Sequence, residues 1–118
     1  MTERTGNCYE AALEFLVDNT IGMGVKEPNH NLRLVHGEVA GTGKLEGRTL
    51  GHAWVEDGDI VIDNTNGRGF VMPKAFYYAV GKIHEIGNYH VYTPEEAREK
   101  MLMHETYGPW DLVVEGDE

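Results

Sequence analysis

The strongest constraint on the fold is a turn signal between two apolar runs in the middle of the chain. Residues 48–56 and 59–65 are rich in β-branched and other apolar side chains, and Asp57-Gly58 separates them. Glycine tolerates a positive φ and aspartate nearly does, so this dipeptide predicts a two-residue hairpin turn. We therefore expect a fold built around an antiparallel β-hairpin.

The predicted turn also determines which side chains face each other across the hairpin. Counting outward from Asp57-Gly58 sets His52 opposite Asp63. Directly opposed residues share one face of the sheet, with Cβ atoms about 5 Å apart. The register thus predicts an imidazole beside a carboxylate that can fix the ring tautomer and stabilise the protonated ring. Trp54 shares this face by alternation, and its ring suits a substrate groove as well as it suits the core.

An amphipathic helix is predicted over residues 8–18, where apolar side chains recur at helical spacing. Thr5 or Asn7 is suited to the N-cap position. Cys8, the only cysteine of the chain, then lies at the helix N-terminus, where unpaired N–H groups and the helix dipole favour an anion. This position favours the thiolate, which is the nucleophilic form of cysteine.

The remaining pattern predicts one α+β domain spanning residues 1–118, with the N-terminal helix packed on a mostly antiparallel sheet. Further strands are predicted at 32–39 and 88–92, a short helix at 73–80, and a helix from 94 to about 105. Thr93-Pro94-Glu95-Glu96 is a strong start signal for that last helix. Residues 110–114 are expected to add a short strand or to pack across the core.

Charge and composition narrow the class of partner. The formal charge is −10, from 20 acidic and 10 basic residues, so we expect neither nucleic acid nor a membrane as partner, and a basic protein is the better match. No apolar run approaches the roughly 20 residues of a membrane span, and no signal-peptide core is present. A single cysteine excludes an internal disulfide and a multi-cysteine zinc site. We therefore expect a cytoplasmic protein.

Cys8, His52 and Asp63 together supply the three groups that a cysteine hydrolase needs. The thiolate attacks, the imidazole holds it and later protonates the leaving group, and the carboxylate orients the imidazole. The helix N-terminus adds a backbone donor for the oxyanion, and the Asn7 side chain is a candidate second donor that contacts substrate. Each member also has a structural interpretation, because cysteines at helix starts are commonly buried and many His–Asp pairs are surface ion pairs.

His36 is a further candidate for substrate binding, since its predicted strand could neighbour the hairpin. A half-buried structural role fits the same position. His36, His52, Asp63 and Cys8 are of residue types that bind zinc, but no two have the tight spacing of a metal motif. We therefore expect no metal and no other cofactor.

Three segments resemble those of transglutaminase-like cysteine enzymes, which belong with the papain-like fold. Residues 6–12, Gly-Asn-Cys-Tyr-Glu-Ala-Ala, are similar to a Gly-Gln-Cys-Trp-x-x-Ala segment of that superfamily. Residues 52–56, His-Ala-Trp-Val-Glu, resemble its His-Ala-Trp-x-Glu segment, and residues 62–65, Ile-Asp-Asn-Thr, resemble its Leu-Asp-Pro-Thr segment. Asn7, Tyr9 and Asn64 depart from these patterns.

The resemblance implies that Cys8 is the nucleophile, His52 the base and Asp63 its orienter. Together with the residues themselves, it predicts a cysteine hydrolase of the peptidase or amidase type that cleaves an amide or ester bond of a peptide or other amide-containing substrate. Hydrolysis is preferred because so short a chain shows no dedicated site for a second substrate. The alternatives are transglutaminase or other acyltransferase chemistry, a metal-dependent hydrolase, and a non-catalytic binding module on the same fold.

Overall fold

A computed structural model describes residues 7–20, 29–41, 44, 46–63 and 70–114, and for Asn7 and Phe70 it describes the backbone. The N-cap candidate Thr5 lies outside these residues, as do residues 64–69. The elements run in the order α1 (Asn7–Thr20), β1 (Leu32–Ala40), β2 (Thr49–Asp57), β3 (Ile60–Asp63), β4 (Phe70–Pro73), α2 (Lys74–Val80), α3 (Ile83–Ile86), β5 (Tyr89–Tyr92) and α4 (Pro94–His104).

The five strands form one antiparallel sheet in the order β4-β3-β2-β1-β5. Helices cover both of its faces. The α1 face also receives α4, and its buried cluster includes Cys8, Leu13, Leu16, Leu34, Val55 and Ala97. The α2 face also receives α3, and its buried cluster comprises Val35, Trp54, Val61, Tyr78 and Ile83. The α+β class and the packing of the N-terminal helix on the sheet are therefore confirmed, with a second helical layer in addition.

The hairpin forms, but its turn lies at Gly58-Asp59, so the predicted turn at Asp57-Gly58 is wrong by one position. Asp57 pairs with Ile60, and Gly58 adopts a φ of +61°. Glycine is favoured there because L side chains rarely adopt a positive φ. The register is displaced by two residues from the predicted one. Because side chains alternate with a period of two, every side chain stays on its predicted face.

The central strands are buried on both sides, which the sequence pattern does not indicate. From Leu50 to Glu56 every residue of β2 is buried, because its odd positions meet α1 and its even positions meet α2. Two of these buried positions carry ionisable side chains, His52 and Glu56. Buried ionisable groups need partners, so each of them identifies a place where the fold has arranged polar contacts.

The sequence analysis does not predict β4 or the four-residue helix α3, because each is too short to show a periodic pattern of apolar residues. The signal for α4 is confirmed in detail. The Thr93 side chain accepts from the Glu96 backbone, while the Glu96 side chain accepts from the Thr93 backbone, and together they form a capping box. Residues 110–114 form no strand, and Trp110 packs across the core instead.

Candidate active site

The centre of the site is the contact between His52 on β2 and Asp63 at the end of β3. Nε2 of His52 lies 2.9 Å from Oδ2 of Asp63, and both side chains are buried. Continuing the β2–β3 register sets Asp63 beside Trp54, one diagonal step from His52. Diagonal neighbours on one face are still within reach of each other. The predicted hydrogen bond is therefore confirmed, although the predicted direct opposition is not.

Cys8 in the first turn of α1 is the third member of the site. It packs in the cluster on the α1 face, and only 1% of its surface is exposed. The Cys8 sulfur lies near enough to His52 to raise the pKa of the ring, although His52 belongs to the other face of the sheet. His52 lies beyond the last β2–β3 pair among the described residues, Val55 with Ile62.

The electrostatics of His52 follow from these two contacts. Burial alone would lower the pKa of His52, because it penalises the charged ring. The hydrogen bond to Asp63, the neighbouring Cys8 and the charge of Asp63 outweigh burial and raise the pKa of His52 from 6.5 to about 10. The site therefore favours an imidazolium close to the Asp63 carboxylate and the Cys8 sulfur. Such a ring can stabilise the nucleophile and then deliver a proton.

Tyr77 on α2 is a member of the site that sequence reasoning missed. Its hydroxyl donates to Oδ2 of Asp63 over 2.9 Å, and this is the oxygen that also accepts from His52. Two donors on one oxygen restrict how the carboxylate can turn, and so restrict the ring of His52. The short helix at 73–80 was predicted, but nothing in its periodicity indicates which tyrosine faces the hairpin.

Trp54 lies beside His52, with ring centroids 5.9 Å apart, and its ring also contacts Tyr77 at 5.2 Å. The indole is fully buried, so of its two predicted roles the structure supports the core one. Its Nε1–H donates to Glu56 over 3.0 Å. Trp54 thus packs in the core on the same face of the sheet as His52 and does not line an open groove.

Glu56 is the centre of a second polar cluster on the same face. Its carboxylate accepts from Trp54 and from the hydroxyl of Tyr78, and it pairs with Lys74 at 3.2 Å. Burial and the neighbouring Glu56 raise the pKa of Tyr78, so this hydroxyl stays protonated and donates. With donors on both oxygens, Glu56 acts as a satisfied structural carboxylate.

The structure does not bring His36 to this site. His36 on β1 points into the α1 face, where rings of Tyr9, Tyr92 and Trp110 surround it at centroid distances of 5.0, 5.1 and 4.8 Å. It is fully buried, and neither ring nitrogen has a hydrogen-bond partner among the described residues. Burial, reinforced by His90, lowers the pKa of His36 to about 3. A contact with substrate would need an exposed nitrogen, which this ring lacks.

Asn7 begins α1, but its side chain lies outside the described residues, so its predicted contact with substrate stays a prediction. Among the residues that the structure describes, no group of three or more His, Cys, Asp or Glu side chains is arranged to hold a metal ion.

Comparisons with protein-family models, with curated proteins and with solved structures return no match for this chain. Within the described ranges, no helix combines the length and the apolar character needed to cross a membrane. The function is therefore inferred from the side chains of the described residues and from their contacts.

Proposed function

We propose that the protein is a cysteine hydrolase, on a papain-like, transglutaminase-like core, that cleaves an amide or ester bond of a peptide or other amide-containing substrate. One observation carries this proposal: His52 is hydrogen-bonded to a carboxylate at Nε2 and lies near enough to the only thiol of the chain, Cys8, for that thiol to raise the pKa of the ring. A structural histidine needs partners, but it does not need a nucleophile as one of them. The three resembling segments contribute these same three residues.

The proposed reaction has two stages. The Cys8 thiolate adds to the substrate carbonyl, and the tetrahedral oxyanion is held by backbone N–H groups of the first turn of α1, which have no intrahelical acceptor. The His52 imidazolium gives its proton to the leaving amine or alcohol, and the C–N or C–O bond breaks to leave a thioester. Water then gives a proton to His52 and its oxygen attacks the thioester, and breaking of the C–S bond releases the acid and restores the Cys8 thiolate beside the His52 imidazolium. Asp63 holds the ring in place throughout.

Hydrolysis is preferred over transfer to an amine, because the described part of this short chain offers no evident second-substrate site. A reducing compartment such as the cytoplasm would keep the thiol available.

A non-catalytic binding module is the second candidate, and the burial of Cys8 favours it. With 1% of its surface exposed, Cys8 can meet a substrate only after a local opening around the start of α1. In this alternative the acidic chain, with its formal charge of −10, would dock a basic protein partner.

Alkylation of Cys8 by iodoacetamide at neutral pH separates the two candidates. We expect Cys8 to be alkylated in the folded protein, and the rate to fall at least about tenfold in His52→Ala, because the charged partner of the thiolate is removed. His84→Ala is the control, since it removes an exposed histidine on α3, which belongs to the face opposite Cys8, and should leave the alkylation rate unchanged. Mass spectrometry locates the modification, and circular dichroism establishes that each variant is folded.

Two outcomes would contradict the proposal. Alkylation that occurs only after unfolding in denaturant would favour the binding module. Equal rates for the folded wild type and His52→Ala would mean that the imidazole does not activate the thiol.

A further inference from the structure

An open groove of about 220 Å³ lies against His52 on the α2 face of the sheet. Its main lining side chains are Val39, Met72, Phe76, Tyr77 and Val80, together with His52 itself. The described lining contains no carboxylate, ammonium or guanidinium group. An apolar groove therefore adjoins the ring that we propose as the acid and base of the reaction.

Two of these residues are unusually exposed for large apolar side chains. Phe76 is 58% exposed and Val80 is 51% exposed. They are four residues apart on α2, so they lie on the same side of the helix and form one continuous surface. Contiguous exposed apolar surface beside a pocket is typical of a ligand-binding groove.

The size of the groove limits what it can hold. An engineered apolar cavity of about 150 Å³ is large enough to take up benzene. A volume of about 220 Å³ therefore accommodates one branched aliphatic or aromatic side chain. It is too small for a folded partner or for several residues of a peptide.

We propose that this groove binds the apolar side chain of a substrate residue next to the scissile bond, which makes the site selective for leucine-like or phenylalanine-like residues over glycine and over acidic residues. The inference rests on the proposed function, because it takes His52 as the ring beside which the bond is cleaved. Phe76 and Val80 are then specificity-determining residues that take no part in the chemistry.

Paired probes test the preference on each side of the bond. For the acyl side, N-acetylleucyl and N-acetylglycyl vinyl sulfones are compared by the rate at which the thiolate of Cys8 adds to the β-carbon of the vinyl group. The α-carbon next to the sulfone then takes up a proton, which leaves a thioether. For the leaving-group side, cleavage of N-acetylglycyl-leucinamide is compared with that of N-acetylglycyl-glycinamide. We expect the leucine member to react at least about tenfold faster in one of the two pairs.

A charge placed in the groove sharpens the test. In Val80→Lys the leucine preference should be lost, and an N-acetylglutamyl probe should gain relative to the leucine probe. Leu102→Lys on α4 is the matched control, because Leu102 is 72% exposed and α4 belongs to the opposite face. Both positions are exposed, so neither change should prevent folding, and the control should keep the selectivity of the wild type.

Equal rates for leucine and glycine in both pairs, with Cys8 still modified, would overturn the groove assignment and leave the proposed hydrolase standing. The same holds if Val80→Lys retains the wild-type selectivity. A folded protein whose Cys8 reacts with none of the probes, nor with iodoacetamide, would overturn both proposals.

Discussion

Two histidines lie back to back on neighbouring strands of the sheet and have opposite properties. His52 pairs across the β1–β2 ladder with Gly37, the residue next to His36, and the two rings point to opposite faces. Both are buried. His52 is held between Asp63 and Cys8, and its pKa is raised to about 10, whereas His36 is surrounded by aromatic rings and its pKa is lowered to about 3.

The difference teaches that partners, more than burial, decide the charge of an interior histidine. Burial disfavours the imidazolium at both positions, and only His52 has anionic partners that overcome it. The two rings therefore couple to pH with opposite sign. The raised pKa of His52 gives stability that is complete below pH 6.5 and is lost as the pH rises towards 10, whereas the lowered pKa of His36 makes acidification destabilising.

The difference between the two histidines should be reduced most by a variant that removes the carboxylate next to His52. In Asp63→Asn we expect hydrolysis of an activated ester such as p-nitrophenyl acetate to fall by about two to four orders of magnitude, because the amide no longer holds the productive tautomer or stabilises the imidazolium. Asp111→Asn is the matched control. Asp111 lies near His36 on the α1 side of the sheet and accepts hydrogen bonds from Tyr92 and Lys100, so its replacement should leave turnover unchanged. A folded Asp63→Asn with wild-type kinetics would refute the role assigned to Asp63.

The loss of stability at acidic pH depends on His36. The unfolded chain takes up a proton near pH 6.5 that the folded protein binds only near pH 3. The free energy of unfolding should therefore fall as the pH drops through this range, by up to about 1.4 kcal/mol per pH unit from this residue. His36→Leu should remove that contribution, since it leaves nothing to protonate among Tyr9, Tyr92 and Trp110. Urea unfolding between pH 4 and 7 measures the slope, and an unchanged slope would contradict the assignment.

Tyr77→Phe should give the smallest effect, because it removes one of the two hydrogen bonds on Oδ2 of Asp63 and leaves His52 in contact. We expect a loss of about 1 kcal/mol in transition-state stabilisation, or roughly fivefold in turnover, with the pH profile of iodoacetamide labelling displaced. Tyr78→Phe is the matched control, as it removes the neighbouring hydroxyl from Glu56. It should lower stability and leave the labelling profile unmoved. If the two variants shift the profile equally, Tyr77 has no special relation to His52.

Much of the site could be predicted because its signals are local. Cys8 at a helix start and the alternation that sets His52 and Trp54 on one face depend on a few neighbouring residues each. Asp63 lies on its predicted face even though the turn position was predicted wrongly. A register displacement of two residues does not change the face to which a side chain points. A displacement of one would have removed the carboxylate from the site.

The missing parts depend on packing between distant segments. The hydrogen bond from Tyr77 to Asp63 depends on how α2 packs across the hairpin, and no sequence pattern within α2 indicates that packing. The burial of His36 likewise depends on Trp110 and on Gly108, where an added Cβ would come within 2.4 Å of the imidazole Cε1. Contacts between residues distant in sequence are a property of the assembled fold. The sequence pattern alone therefore could not decide between a substrate-binding role and a structural role for His36.

The neighbouring tyrosines of α2 have a mechanical consequence. Seven residues are too few to form a stable helix alone, and α2 is fastened by Tyr77 to Asp63 on β3 and by Tyr78 to Glu56 on β2. Hydrogen bonds at two points restrain this helix against both sliding and rotation relative to the hairpin. Phe76 and Val80 lie on the same helix, so the proposed groove is built on the element that also bonds the carboxylate next to His52.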